Sequence, residues 1–375
     1  DTKKMNRVLN IDRDTFSVTA ETGIITQHLE WELEGEGLST MHYPASISCS
    51  TLGGFLAHRG TGVLSTKYGK IEDMIMSMEV VLPDGKIINT LPVPRHAAGP
   101  DLNQLFIGSE GTLGVITKAT LKLHPLPAER QFHAFIFKDM HAAMQAGKEI
   151  MLSRLRPSVI RLYDEAETKK LIKRVLGIDK QGAYLVFGFE GDREIVEIEK
   201  KRAIDICLKQ DSEDLGSEMG RSWWKHRYDF FYPPHMFALP QAFGTLDTVA
   251  TFSNIENVYW AMKRAVENNF PEAVYIGHFS HWYEWGCMLY ARFIIDNPPQ
   301  DPHEAAQLYN SVWDAGVRAA INAGGVLNEH HGIGLKLGRL MKEQYGEAFS
   351  IFEKIKEAID PNNIMNPGKM GFKGA

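Results

Sequence analysis

Apolar and polar positions change period several times along this chain. Residues 113–123 (L-G-V-I-T-K-A-T-L-K-L) alternate at period two, which predicts a half-buried strand. Residues 76–81 and 86–89 flank Pro83-Asp84-Gly85 and predict a hairpin turning around Asp84-Gly85. Residues 5–22 read as strand, turn, strand. The run His124-Pro125-Leu126-Pro127 breaks this pattern and sets a boundary, so the first domain is expected over residues 1–128.

Beyond that boundary short apolar runs alternate with segments of helical period. Strands are expected at 132–137, 158–162, 183–189, 245–252, 273–276 and 287–294. Helices are expected at 140–152, 165–175, 194–208, 255–268 and 302–323. Strands and helices in this order predict an antiparallel sheet covered by helices on one face, in a second domain over 129–325. A C-terminal segment, 326–375, holds one more motif and two helices, the last stopping at Asp360-Pro361-Asn362-Asn363. The predicted fold class is therefore α+β. No solenoid-type repeat is present.

Composition narrows the function. The 375 residues are 44% hydrophobic and 23% charged, values that exclude disordered and fibrous classes. A formal net charge of -6 argues against a general nucleic-acid binder. No apolar run is long enough to span a bilayer. The opening D-T-K-K-M-N does not read as a signal peptide. Cys49, Cys207 and Cys287 are odd in number and scattered, which points to a reducing compartment. Cytoplasm is the expectation, with organelle targeting upstream of this start left open.

Two glycine-rich stretches stand out. Residues 50–69 read S-T-L-G-G-F-L-A-H-R-G-T-G-V-L-S-T-K-Y-G, and residues 108–117 read G-S-E-G-T-L-G-V-I-T. Glycine lets backbone come close to a ligand and aim several N–H groups at it. Tight turns between strands give the same composition. Neither a Walker motif nor a G-x-G-x-x-G fingerprint occurs, so a phosphate cradle of those kinds is unsupported.

The order and spacing are more specific than the composition. Pro44 to Gly69, Ile71-Glu72-Asp73, Leu82-Pro83-Asp84-Gly85 and 108–117 follow one another in a series that resembles the flavin domain of the vanillyl-alcohol oxidase/p-cresol methylhydroxylase superfamily. The resemblance covers nearly the whole chain. It implies FAD as cofactor, held by Pro44, Ser46, Ser50, Thr51, Gly53, Gly54, Gly62, Ser65, Tyr68, Gly69, Glu110, Gly111, Gly114, Val115 and Ile116. Family members enter the segment at residue 5 from a glycine-rich loop that binds the FAD pyrophosphate. That loop is not in this sequence, so the expectation is either a fragment or a separate N-terminal polypeptide.

Within the superfamily two branches compete. Asn328-Glu329-His330-His331-Gly332-Ile333-Gly334 lies between the Glu-His-Gly of 2-hydroxy-acid dehydrogenases and the triple-histidine run of alkylglycerone-phosphate synthases. Taken alone, such histidines are more often surface or capping groups than general bases, though a near-neutral pKa makes either a possible base. Strings such as Tyr68-Gly69-Lys70-Ile71-Glu72-Asp73 and Ser158-Val159-Ile160-Arg161-Leu162 are similar to the synthases. That resemblance implies an active-site role for His42, substrate contact for Arg161, and proton acceptance by Tyr290. A further synthase arginine would align to Tyr232-Pro233-Pro234-His235-Met236, where none occurs, and the ending Met365-Asn366-Pro367-Gly368-Lys369 is closer to the dehydrogenases. A phosphate-bearing substrate favours bidentate arginine contacts, so its absence weakens the phospholipid reading.

His278, His281 and Glu284 could suggest a metal. In some dehydrogenase relatives a histidine pair here binds zinc, but the second histidine would fall near Trp285, so no metal is expected. Trp223, Trp224, Tyr228, 230–232, Trp282 and Trp285 read mainly as core, part of which could line an apolar pocket. The leading expectation is an FAD-dependent dehydrogenase moving hydride from a hydroxy-acid-type substrate to flavin N5, with His330 or His331 as base. The flavin ring is expected between the domains. The alternatives are the redox-neutral synthase and a non-catalytic subunit of a flavin complex. The expected partners are a small-molecule substrate, an electron-acceptor protein and a second copy in a homodimer.

Overall fold

A computed structural model describes residues 1–230 and 239–374 and divides the chain into two compact units. Unit 1 joins Asp1–Leu126 to His330–Ala375, and unit 2 is Pro127–Glu329. Each has its own sheet.

Unit 1 contains β1 (Val8–Asp12), β2 (Ser17–Glu21), β3 (Leu38–Ser39), β4 (Ile75–Val81), β5 (Ile87–Asn89), β6 (Val115–Lys122) and β7 (His124–Pro125). Five of them form an antiparallel sheet in the order β1-β2-β6-β4-β5, and β3 pairs with β7. The alternation along 113–123 has its cause here. Thr117, Ala119 and Leu121 point inward while Lys118, Thr120 and Lys122 are half-exposed. The strand begins only at Val115, because the preceding glycine turn carries positive φ at Glu110 and Gly111. The 82–86 turn closes as expected, with Leu82 N–H donating to Lys86 O at 2.8 Å. Helices Thr26–Gly35 and Leu52–His58 cover the sheet with Leu29, Leu33, Leu52, Phe55 and Leu56.

Unit 2 contains β8 (Glu129–Phe137), β9 (Val159–Tyr163), β10 (Ala183–Gly191), β11 (Ser212–Leu215), β12 (Ala242–Thr251), β13 (Ala273–Trp282) and β14 (Gly286–Ile295). They make one antiparallel sheet in the order β11-β8-β10-β9-β13-β14-β12. Helices Met140–Leu152, Arg193–Leu208, Ile255–Glu267 and Pro302–Asn322 pack on it, and Gly216–His226 lies against β8. The central strands are buried on both faces, which is why A-Y-L-V-F-G-F reads as a continuous apolar run. The helix expected at 165–175 is helical but not uniform: Glu165–Glu167 continues through a π turn, Thr168–Ile172, into Lys173–Leu176. β11 and helix Gly216–His226 were not predicted. The strand is the polar string S-E-D-L, which carries no alternation to read. Phe231, Tyr232 and the 233–236 run lie outside the described residues.

A buried lysine ties the C-terminal helix Phe349–Ile359 into unit 1. Lys356 Nζ donates to Thr112 O at 3.0 Å and Met365 O at 2.8 Å and pairs with the Asp360 carboxylate. Asp360, 2% exposed, also accepts from the N–H groups of Ile364 and Met365. Replacing Lys356 by Met strands that buried carboxylate. The unfolding free energy of unit 1 is expected to drop by about 3 kcal/mol, measured by chemical denaturation.

Candidate functional site

In unit 1, the two glycine-rich stretches meet. Helix Leu52–His58 is capped by Thr51, whose Oγ1 accepts from Gly54 N–H at 3.1 Å. Gly53 N–H donates to Thr22 O at 2.8 Å, fixing the stretch beside β2. A cavity of about 170 Å³ opens there, lined by Thr51, Gly53, Gly54, Gly111, Gly114, Val115 and Ile116 among others. Gly114 packs so closely that an added Cβ would lie 2.8 Å from Val80 Cγ1 and 2.9 Å from Val81 O. No charged side chain lines this cavity among the described residues. Bare backbone, threonine hydroxyls and Phe106 suit a neutral heterocycle with carbonyl and N–H edges, as in the ring of a flavin.

The other residues named from the sequence for FAD do not line this cavity. Gly62 N–H donates to Ser65 Oγ at 2.9 Å, and a Cβ on Gly62 would strike Tyr43 N at 2.6 Å. Gly69 closes onto Ser65 O, and Tyr68 packs on His124 with ring centroids 4.7 Å apart. Pro44 and Ser46 turn the chain into residue 50 through bonds to Ile47, Cys49 and Ser50 N–H. His42 is buried at 1% exposure, edge-on to Phe55.

The histidine run forms a second cleft of about 380 Å³, which shares Ala57 with the first. His330 is half-buried and His331 exposed, their rings 4.0 Å apart. His58 Nδ1–H donates to His330 O at 2.7 Å. Burial first, and then the two neighbouring histidines, depress His58's pKa despite that bond. Glu110 holds the far side of the loop. Its carboxylate accepts from the N–H groups of Ile333 and Gly334, the latter at 2.8 Å. Gly332 sits at φ +88°, and an added Cβ would be 2.9 Å from Glu110 Oε1.

In unit 2, a polar row crosses one face of the sheet. Cross-strand register pairs Tyr163 with His278, His278 with Tyr290, and Tyr290 with Asp247. Arg161 and Arg292 share that face by the two-residue period of β9 and β14. His278 stacks on Tyr290 with centroids 5.0 Å apart and planes 6° from parallel. Its Nδ1 lies 3.1 Å from the Glu167 carboxylate, which also pairs with Arg292. Burial would raise Glu167's pKa, but Arg292 and His278 outweigh it and hold it down to about 2. Burial keeps His278 neutral against that carboxylate, with a pKa down to about 3. Trp223 Nε1–H donates to Tyr163 Oη at 2.9 Å, and Arg161 Cζ lies 5.7 Å over the Trp223 ring.

Of the residues weighed as metal ligands, His278 is thus committed to Glu167. His281 Nδ1 lies 3.6 Å from Glu329, which Tyr283 Oη–H reaches at 2.5 Å, and Glu284 and Trp285 are exposed. Asp247 accepts from Asn328 Nδ2 at 2.7 Å and from Glu329 N–H at 2.9 Å. Sequence reasoning missed Glu167, Arg292, Asp247 and His58. A signal existed for one of them: an arginine two positions after Tyr290, inside an otherwise mostly apolar strand.

Residues 126–370 match the family described as FAD linked oxidases, C-terminal domain, and residues 1–91 match an FAD binding domain. The chain belongs to the FAD-linked oxidases. Its cofactor is FAD, a group whose neutral ring the lining of this cavity fits. It is similar to the alkyldihydroxyacetonephosphate synthase of Trypanosoma brucei brucei, at 31% identity over 99% of this chain and 64% of that protein. The FAD-linked oxidoreductase YgcU of Escherichia coli (strain K12) is 31% identical over 98% of this chain and 78% of that one. The glycolate oxidase subunit GlcD of Bacillus subtilis (strain 168) is 28% identical over 100% and 79%. Among solved structures, an alkyldihydroxyacetonephosphate synthase superposes with TM-score 0.75 at 28% identity, covering 97% of this chain and 66% of that one. p-Cresol methylhydroxylase does so with TM-score 0.78 at 20% identity, covering 99% and 79%, a likeness of fold. This FAD-linked oxidase chain spans just under two thirds of the length of the synthases it matches. Among the described residues no helix is long and apolar enough to cross a membrane.

Glu110 gives a direct test of the histidine loop in this family member. Glu110→Ala removes the acceptor of two loop N–H groups. Amide exchange at Ile333 and Gly334 is expected to speed up by at least about tenfold, equivalent to about 1.4 kcal/mol of lost protection, read by hydrogen-exchange mass spectrometry.

Proposed function

We propose that this chain carries the catalytic groups of an FAD-dependent dehydrogenase acting on a small 2-hydroxy acid. The observation that carries the reading is Arg161. Its Nε has no hydrogen-bond partner, and no carboxylate pairs with it among the described residues. Arg292, the other guanidinium on the face of Tyr290, is already neutralised by Glu167. A guanidinium that no carboxylate neutralises, beside aromatic walls, suits one carboxylate, with its planar fork on both oxygens.

In this reading Arg161 anchors the substrate carboxylate. Tyr290 makes a hydrogen bond that fixes its orientation. His330 or His331 takes the hydroxyl proton as the substrate carbon is oxidised. Residues of the 51–54 and 111–116 loops hold FAD, which when bound supplies the two-electron acceptor. Glu110 and His58 keep the base loop in place through its backbone.

A second reading is supported by the 31% identity to a synthase over 99% of the chain. It is a redox-neutral exchange of an acyl for an alkyl chain on a dihydroxyacetone phosphate. The two readings part in one experiment. The FAD-loaded protein is mixed anaerobically with a panel of 2-hydroxy acids and then with an acyl dihydroxyacetone phosphate. Lasting bleaching of the flavin band by a hydroxy acid is the expected outcome. Fatty-acid release from the acyl compound without lasting bleaching would establish the exchange reaction instead.

Two substitutions follow. Arg161→Met is expected to raise KM for the hydroxy acid by about 100-fold, the loss of roughly 3 kcal/mol of charge-assisted bonding, seen in steady-state kinetics. Replacing the working base, His330→Asn or His331→Asn, is expected to lower kcat by about 10²–10⁴-fold while KM changes little. The variant that shows the loss identifies the base.

A further inference from the structure

Glu167 has no access to water and was not among the residues the sequence singled out. It is set at the first turn of a helix whose N-cap, Asp164, accepts from Glu167 N–H at 2.7 Å. Directly after it the helix widens into the π turn Thr168–Ile172. Such turns recur at functional sites. Thr168 Oγ1 anchors the turn to both neighbouring strands, donating to Tyr163 O and accepting from Tyr184 N–H. The backbone around Glu167 is therefore fixed from three sides, and its carboxylate lies at the junction of His278 and Arg292.

Both of those partners touch Tyr290. His278 lies flat on the phenol ring, and Arg292 Cζ is 5.6 Å from the ring centroid. Charged and titratable groups reach Tyr290 from every neighbouring element: His278 on β13, Arg292 on β14, Asp247 on β12, Arg161 on β9, and Glu167 on its helix. The two arginines favour a tyrosinate, and the two carboxylates oppose it. Asp247 accepts from Asn328 and the Glu329 backbone, and Glu167 is in direct contact with Arg292 of this row.

We propose that Glu167 is a positioning residue that keeps Tyr290 a neutral phenol, by neutralising Arg292 and holding His278 flat against the ring. Tyr290 then donates a hydrogen bond to the substrate and is not a tyrosinate awaiting a proton. The proposal deepens the dehydrogenase reading and rests on it for its meaning, since a phenol donor beside Arg161 suits an oxygen-rich anionic substrate. Burial and the nearby carboxylates push the Tyr290 phenol up to about 12, in the direction the arrangement requires.

The test is a pH titration of the FAD-loaded protein labelled with [13Cζ]tyrosine. The Tyr290 resonance is assigned by its loss in Tyr290→Phe. In the unsubstituted protein the resonance should keep its phenol position to the alkaline end of the range in which the protein remains folded, which sets a lower bound on its midpoint. In Glu167→Gln, Arg292 is left uncompensated, and the midpoint should fall by about one pH unit or more, a tenfold change in proton affinity. The double variant Glu167→Gln/Arg292→Gln should return it toward the original value, an outcome that a packing defect alone would not give. If Glu167→Gln does not fold, Glu167→Asp withdraws the carboxylate from Arg292 by one methylene and should shift the midpoint the same way. A folded Gln or Asp variant with an unmoved midpoint, or a double variant that stays low, overturns the proposal. The titration uses no substrate, so its failure leaves the dehydrogenase reading standing. A protein that titrates as expected but oxidises no hydroxy acid overturns the dehydrogenase reading alone.

Discussion

A carboxylate with no access to water must find its counter-charge inside the protein, and Glu167 finds it in Arg292 with His278 alongside. Much of unit 2's polar face follows from that requirement. Arg292 and His278 sit on adjacent strands, β14 and β13, so their meeting at one carboxylate constrains the register between those strands. The same register sets His278 on Tyr290 and Tyr290 beside Asp247. A buried ion pair of this kind is weak evidence for stability, because desolvation offsets much of the attraction. Its consequence here is geometric: one guanidinium of the row is neutralised and another, Arg161, has no carboxylate partner among the described residues.

Unit 1 meets a different constraint. Its glycine-lined cavity is walled by backbone and small side chains, and a Cβ at Gly114 would strike Val80 and Val81 of the sheet. The composition of the two glycine-rich stretches follows. Some of their glycines open the cavity, as at Gly53 and Gly54, while others such as Gly62 and Gly69 let chain segments pack against each other. The histidine loop obeys the same logic, since Gly332 and Gly334 give Glu110 access to bare backbone.

Legibility in the sequence divided along these lines. The alternation at 113–123, the Asp84-Gly85 turn and the strand–helix rhythm after residue 128 are local patterns, and local patterns carry their structure with them. The glycine stretches were legible because backbone approach leaves a mark in composition. The Glu167–His278–Arg292 cluster was not, because it joins residues 111 and 125 positions apart, and nothing local distinguishes Glu167 from Glu165 in D-E-A-E. β11 escaped because its pairing with β8 is satisfied by backbone bonds and leaves no side-chain period. The meaning of Glu110 was also hidden, because a glutamate amid glycines says nothing of which N–H groups its carboxylate will meet.

One distinction decides how the histidines and the tyrosine divide the chemistry. His330 and His331 stand on a loop whose backbone is held by Glu110 and His58, so the loop is fixed while the rings stay partly open to solvent. In the proposed reading one of them is the base. Tyr290 stands in a sheet, pressed against a neutral imidazole and compensated charges, where gaining or losing a proton is costly. A reaction that removes a hydroxyl proton needs one group that changes its charge and others that do not. In the reading proposed above, His330 or His331 is the group that changes its charge, and Tyr290 and Arg161 are groups that do not.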